Sequence, residues 1–255
     1  MRLSIDKKIT LLLKEFIKEA FSRFGLVVFK RSSRVYLPEE DSFKIIASLC
    51  DRSDPVMIDG GAHLGGAVEA FGSLLPDTTF FCFEPDPILG QVLTDKFARN
   101  PRVTIVQAAL GEHEGKAEFN INASRPTNSL LPASESLNAE LQQLCQPVEK
   151  IVVALTTIDD YTRVNNIGRV DIIKLDLQGY DFLALKGAKE TLRQAKIAHI
   201  EVLFREIYTG CHLFPDIVRL MTENGFTLYT LCGMHYGEAG ELLWADAIFA
   251  KACKR

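Results

Sequence analysis

The sequence predicts an α/β domain: a mostly parallel sheet with helices on both faces, closed by an antiparallel hairpin near its C-terminal end. Three observations carry that expectation. The runs at 56–59, 78–83, 103–107, 170–175 and 197–204 are short and largely apolar, as strands buried on both faces are. Helix-length amphipathic stretches separate most of them, which is the spacing of βαβ units. The last two runs, 226–231 and 242–250, have no helix between them and should pair antiparallel.

Residues 3–24 read as an amphipathic helix. Ile5, Ile9, Leu12, Phe16, Ala20 and Phe24 share one stripe at three- and four-residue steps, and Gly25 is a plausible stop. A short strand at 26–29 and a helix at 39–50 follow. The strand at 56–59 ends in an acid and glycines and feeds a helix at 64–75. The strand at 78–83 ends at Glu84-Pro85 and feeds a helix at 86–99. The fourth strand ends at Asp176, before a strongly periodic helix over 181–195. The fifth contains Glu201 and precedes a helix at 214–224 that Asn224-Gly225 closes. Residues 115–155 interrupt the rhythm. Strand-like runs at 117–121 and 151–155 flank a Ser/Asn-rich middle, which is an insertion within one domain. The chain therefore divides into a helical, basic extension at 1–54, packed on the domain, and a main domain at 55–255.

The net charge of the 255 residues is -4. Residues 1–34 hold nine Lys/Arg against three Asp/Glu, a balance of +6 that leaves -10 for the remainder. An acidic body repels phosphate backbones, so no nucleic-acid partner is expected. The basic, striped N-terminal segment also suits peripheral contact with an anionic membrane. The six cysteines, at 50, 82, 145, 211, 232 and 253, are scattered without a C-x-x-C pair. With no signal-peptide-like apolar region at the start, they point to a reducing, cytoplasmic setting. The five histidines, at 63, 113, 199, 212 and 235, show no metal-ligand spacing, and no metal is expected.

Ligands of open parallel sheets bind beyond the carboxyl ends of the strands, where strand order reverses. Strand one ends there in Asp59-Gly60-Gly61-Ala62-His63-Leu64-Gly65. The glycines let backbone come close to a ligand before a helix N-terminus. The dinucleotide fingerprint G-x-G-x-x-G is not met, which disfavours a nicotinamide oxidoreductase. Asp59, an acid directly before the loop, suits a ligand carrying positive charge rather than a pyrophosphate. Glu84, at the end of the next strand, can accept two hydrogen bonds from a ribose diol.

Asp59-x-Gly61-Ala62-x-x-Gly65, Phe83-Glu84-Pro85-Asp86 and Ala109-Leu110-Gly111 together resemble the S-adenosylmethionine site of class I methyltransferases. Thr157-Ile158-Asp159-Asp160, Lys174-Leu175-Asp176-x-Gln178-Gly179, Leu185-Lys186-Gly187-Ala188 and Ile200-Glu201-Val202 narrow the resemblance to the FkbM methyltransferases. It spans about residues 55–250. It implies a Rossmann-like, seven-stranded, mostly parallel sheet with a final antiparallel hairpin, in agreement with the strand count. It also implies methyl transfer from S-adenosylmethionine to an oxygen of a sugar, glycan or small natural product. This chain departs from the common pattern at Gln178, where an acid is frequent, and at His63, where Asn is. A non-catalytic binding module on the same fold is the further alternative, against which the intact Asp59, Gly61, Gly65, Glu84 and Asp176 argue. With neither Pro-Pro nor Pro-Cys in the chain, amine- and cytosine-methylating classes fit worse.

On this resemblance Gly61, Ala62 and Gly65, with Asp59 before them, approach the methionine part of the cofactor. Glu84, with Pro85 beside it, holds the ribose, and Ala109 and Leu110 flank the adenine. Asp176 faces the methyl group and is the first candidate for the general base that an alcohol acceptor needs. Glu201 is the second. Asn128, Ser129, Gln178 and Tyr180 are candidates for the acceptor pocket. Asp159 and Asp160 read more readily as helix-start acids.

Overall fold

A computed structural model describes residues 41–251. The helix at 3–24, the strand at 26–29 and the rest of the extension up to residue 40 lie outside the described residues. Helix α1 (Ser42–Leu49) opens under Asp41, whose carboxylate accepts from the Phe43 and Lys44 amides. Four neighbouring parallel strands form one side of the sheet: β1 (Val56–Gly60), β2 (Thr79–Phe83), β3 (Val103–Val106) and, later in the chain, β7 (Ile172–Leu175). Helices α2 (Gly66–Leu74) and α3 (Pro87–Phe97) make the first two crossovers.

After β3 the chain leaves the main sheet. Strands β4 (Ala109–Leu110), β5 (Gly115–Asn122) and β6 (Pro147–Thr156) form a separate three-stranded sheet, ordered β4-β6-β5. A short 3-10 turn at Arg125–Thr127 and helix α4 (Ala139–Leu144) lie between β5 and β6. The insertion expected at 115–155 is thus a small sheet of its own. Helix α5 (Ile158–Val164) returns the chain to β7, with Thr157 as its cap.

The periodic stretch at 181–195 is two helices, α6 (Asp181–Lys186) and α7 (Lys189–Gln194). The break has a tertiary cause. A side chain at Gly187 would collide with the Gly111 carbonyl. Across the break, the Asp159 carboxylate accepts from the Glu190 and Thr191 amides at 2.9 and 2.8 Å and from the Thr191 hydroxyl. Asp159 therefore caps α7 from another helix, and Asp160 pairs with Arg163 within its own. Strand β8 (Ile197–Leu203) pairs parallel with β7, and α8 (Phe214–Glu223) precedes β9 (Thr227–Tyr236) and β10 (Leu242–Ala250).

The main sheet has seven strands in the order β3-β2-β1-β7-β8-β10-β9, and β10 is antiparallel to both neighbours. Both faces are covered. Met57 and Ile172 pack under α1 and α2, while their neighbours Ile58 and Ile173 pack against α6, α7 and α8. Among the described residues no helix is long and apolar enough to cross a membrane.

Candidate active site

Strand order reverses between β1 and β7, and the loops after these strands open a cavity. The β1 loop is held in shape by backbone. The Gly61 and Ala62 amides donate to the Phe83 carbonyl at 3.0 and 3.1 Å. Gly61 has φ +73°, and any side chain there would collide with the Asp176 carbonyl. Beneath the loop lies Asp59, fully buried, with the Lys174 ammonium 3.1 Å from its carboxylate. Lys174 also donates to the Gly61 carbonyl at 3.1 Å. Burial opposes the charge of Lys174, but the Asp59 and Asp176 carboxylates outweigh it and hold the ammonium above its ordinary value.

One wall combines apolar and carboxylate character. Phe83, Leu89, Ala108, Ala109 and Leu110 line it, with Glu84 and Pro85 at their edge. Glu84 is buried, and its oxygens accept from the His63 amide at 2.8 Å and the Asp86 amide at 3.0 Å. Burial pushes its carboxyl up to about 7 against those two donors. Each oxygen keeps acceptor capacity for a ligand hydroxyl. Asp86 caps α3 through the Ile88 amide and also receives Arg125 and the Asn128 side chain. A single buried carboxylate thereby joins the loop after β2 to the insertion.

The remaining wall centres on the β7 loop. Asp176, Leu177, Gln178 and Tyr180 line it, facing Arg125, Pro126, Asn128 and Leu130 of the insertion. The Gln178 side-chain nitrogen donates to Asp176 at 2.7 Å and to Glu201 at 3.1 Å. Its oxygen accepts from the Tyr208 hydroxyl at 2.7 Å. Burial, then the nearby Asp176, Asp181 and Asp246, push the Glu201 carboxyl well above its ordinary range. Burial likewise pushes Asp181 up to about 7.

Comparison with known proteins decides the family. The model of the methyltransferase FkbM domain matches residues 59–228, most of the chain. The chain belongs to the FkbM methyltransferase family. Among curated proteins, the 2-O-methyltransferase NoeI of Sinorhizobium fredii (strain NBRC 101917 / NGR234) is 27% identical over 175 residues, covering 65% of this chain and 70% of that protein. Methyltransferase sdnD of Sordaria araneosa is 23% identical over 199 residues, covering 69% and 75%. Among solved structures, an rRNA methylase from Streptococcus thermophilus aligns at TM-score 0.47 and 10% identity, covering 87% of this chain and all of that one.

Within this methyltransferase domain the sequence-derived residues divide. Gly61, Glu84, Pro85, Ala109 and Leu110 line the cavity, as do Asp176, Asn128, Gln178 and Tyr180. Five do not. Asp59 is turned beneath the loop to its lysine. Ala62 is buried against the core under α2, and its carbonyl accepts from the Gly65 amide at 2.7 Å. Gly65, at φ +81°, makes room for the Phe97 ring. Ser129 is buried and donates to the Gln178 carbonyl at 2.8 Å. Glu201 stands behind the wall and meets it through the Gln178 amide. Sequence reading missed Arg125, Pro126, Phe119 and Leu130 on the wall, and Tyr208 behind it. Nothing local marks them, because Arg125 and Tyr208 find their partners Asp86 and Gln178 far along the chain. His63 had a visible signal in its place within the glycine loop, but reads there as a turn histidine.

Proposed function

We propose that the cavity holds S-adenosylmethionine and that the chain methylates a hydroxyl oxygen of a sugar, glycan or small natural product. The observation that carries this reading is one cavity with two carboxylates: buried Glu84 at the edge of an apolar slot, and half-buried Asp176 on the facing loop. The group fits the residues present. Glu84 offers acceptors to a ribose diol, and Phe83, Leu89, Ala109 and Leu110 offer an apolar slot to adenine. When bound, S-adenosylmethionine supplies a methyl group activated on a sulfonium. Gly61 keeps the β1 loop tight against the β7 loop, so that both reach the same ligand. Asp176 takes the hydroxyl proton as the acceptor oxygen gains its methyl group. The printed name of NoeI, a 2-O-methyltransferase, supports oxygen as the acceptor atom. The acceptor enters on the side of Tyr180, Asn128 and Leu130. We expect a cytoplasmic setting from the scattered cysteines, no nucleic-acid partner from the acidic body, and membrane contact, where it occurs, through residues 1–34.

Incubation with S-adenosylmethionine and a panel of methyl glycosides tests the reading. Mass spectrometry should find a glycoside heavier by one methylene, and methylation of its hydroxyl should vanish in Asp176→Asn. A product methylated on nitrogen or carbon would contradict the oxygen acceptor. NAD-dependent oxidation of the same panel would return the site to the nicotinamide alternative.

A further inference from the structure

Among the described residues, Gln178 hydrogen-bonds both candidate carboxylates, and none of its donors is left for a substrate. A primary amide has two N–H donors and one acceptor oxygen. Here one nitrogen faces Asp176 at 2.7 Å and Glu201 at 3.1 Å, and the oxygen faces the Tyr208 hydroxyl at 2.7 Å. Turning the amide over would aim its oxygen at two carboxylates and its nitrogen at a hydroxyl. The two carboxylates therefore select the orientation, and the Tyr208 hydroxyl anchors the oxygen that this orientation turns away from them. Tyr208 itself is almost wholly buried, and its hydroxyl also reaches the Thr127 carbonyl at 3.1 Å.

The backbone beneath the amide is equally constrained. Gln178 adopts φ +52°, a left-handed conformation that a side-chain-bearing residue keeps only when its surroundings impose it. Ser129 grips its carbonyl at 2.8 Å, and a side chain on the next residue, Gly179, would press on Tyr208 at 3.1 Å. The insertion, the β7 loop and the loop after β8 therefore meet at this amide.

We infer that Tyr208 and Gln178 form a tether that aims the Asp176 carboxylate into the cavity and gives it, together with Glu201, a shared hydrogen-bond donor, which makes Tyr208 a positioning residue although it does not line the cavity. The inference rests on the proposed role of Asp176 in methyl transfer. Other charges act on Glu201. Lys174 on β7 favours ionisation of Glu201, whereas burial, Asp176, Asp181 at the start of α6 and Asp246 on β10 oppose it. His63, after β1, is kept largely neutral because burial lowers its value. Among these groups, the Gln178 amide is the neutral donor that serves both carboxylates.

Carboxyl ¹³C NMR titration reads this without any acceptor. Asp176→Asn and Glu201→Gln identify the two signals. In Tyr208→Phe the amide loses its anchor, and the acid dissociation of Asp176 should weaken by about 3- to 10-fold. In Gln178→Met both donors are gone at nearly constant size, and the weakening should exceed roughly 10-fold. Near-ultraviolet circular dichroism establishes that each variant is folded, and if Tyr208→Phe is not, Gln178→Met decides alone. Carboxyl titrations indistinguishable from wild type in the folded variants would overturn the tether. Calorimetry of the wild type with S-adenosylmethionine keeps the two ideas apart. Absence of binding there would remove the cofactor reading, while the titrations would still report on the tether.

Discussion

In the proposed cofactor site the chemistry of Glu84 gives a pH signature. Burial holds its carboxyl at about 7, so near neutrality a large fraction of the unliganded protein has it protonated. Two ribose hydroxyls need an ionised acceptor. Affinity for S-adenosylmethionine should therefore rise between about pH 6 and 8, and calorimetry should find that slope missing in Glu84→Gln. At pH 8 that variant should lose about 1.5–3 kcal/mol of binding free energy. Asp176→Asn should instead reduce kcat by at least roughly 100-fold, with a smaller effect on cofactor affinity. Both residues were legible because each ends a strand beside a turn, where sequence position fixes location. Asp59 ends a strand too, yet strand alternation turns it toward Lys174 beneath the loop. Arg125 and Tyr208 were illegible for another reason: an arginine in a polar loop and a lone buried tyrosine acquire meaning only from residues distant in sequence.

The elements were readable where periodicity and punctuation agreed. Helix α3 begins at the Asp86-Pro87 pair and β1 ends at its glycines, as local rules require. Over 181–195 periodicity misleads, because α6 and α7 both turn their apolar residues to the same core while Gly187 yields to the Gly111 carbonyl. No local rule marks that close approach. The Leu185-Lys186-Gly187-Ala188 motif is thereby explained as packing rather than chemistry. Asp159 belongs to the same joint. Asp159→Ala removes the three hydrogen bonds that start α7 and should cost about 1–2 kcal/mol in urea denaturation. S-adenosylmethionine affinity should be unchanged in that variant. A large loss of affinity with normal stability would instead place Asp159 in the site. Strand β9 runs on to Tyr236, past the expected 231, by way of register shifts against β10 and Gly233 at φ +54°.

At the scale of the molecule, the sheet topology was legible as a class, since apolar strands alternate with helices, but the separate small sheet was not. Its strands could equally have extended the main sheet, and only the pairing of β4 with β6 decides. The folded domain also carries a cluster of strained acids. Glu84, Asp181 and Glu201 all titrate above their ordinary values of 4.5, 3.8 and 4.5 because of burial. Folding thus favours their protonated forms. Their contribution is complete at low pH and is lost as pH rises through about 7. His63 works the other way, but only below its ordinary 6.5. The melting temperature of the unliganded protein should therefore, on balance, fall between about pH 4.5 and 7, where these acids are ionised in the unfolded chain and protonated in the folded one, and a flat or rising profile there in scanning calorimetry would contradict the protonation states assigned to them. The central claim, a methyl-donor site built on Glu84 and the glycine loop, is tested most directly by isothermal titration of the full chain with S-adenosylmethionine and, separately, NAD. The expected result is saturable binding of S-adenosylmethionine alone, weakened by Glu84→Ala and abolished by Gly61→Val, with both variants folded. Binding of NAD instead, or S-adenosylmethionine binding that both folded variants retain at wild-type affinity, would contradict it.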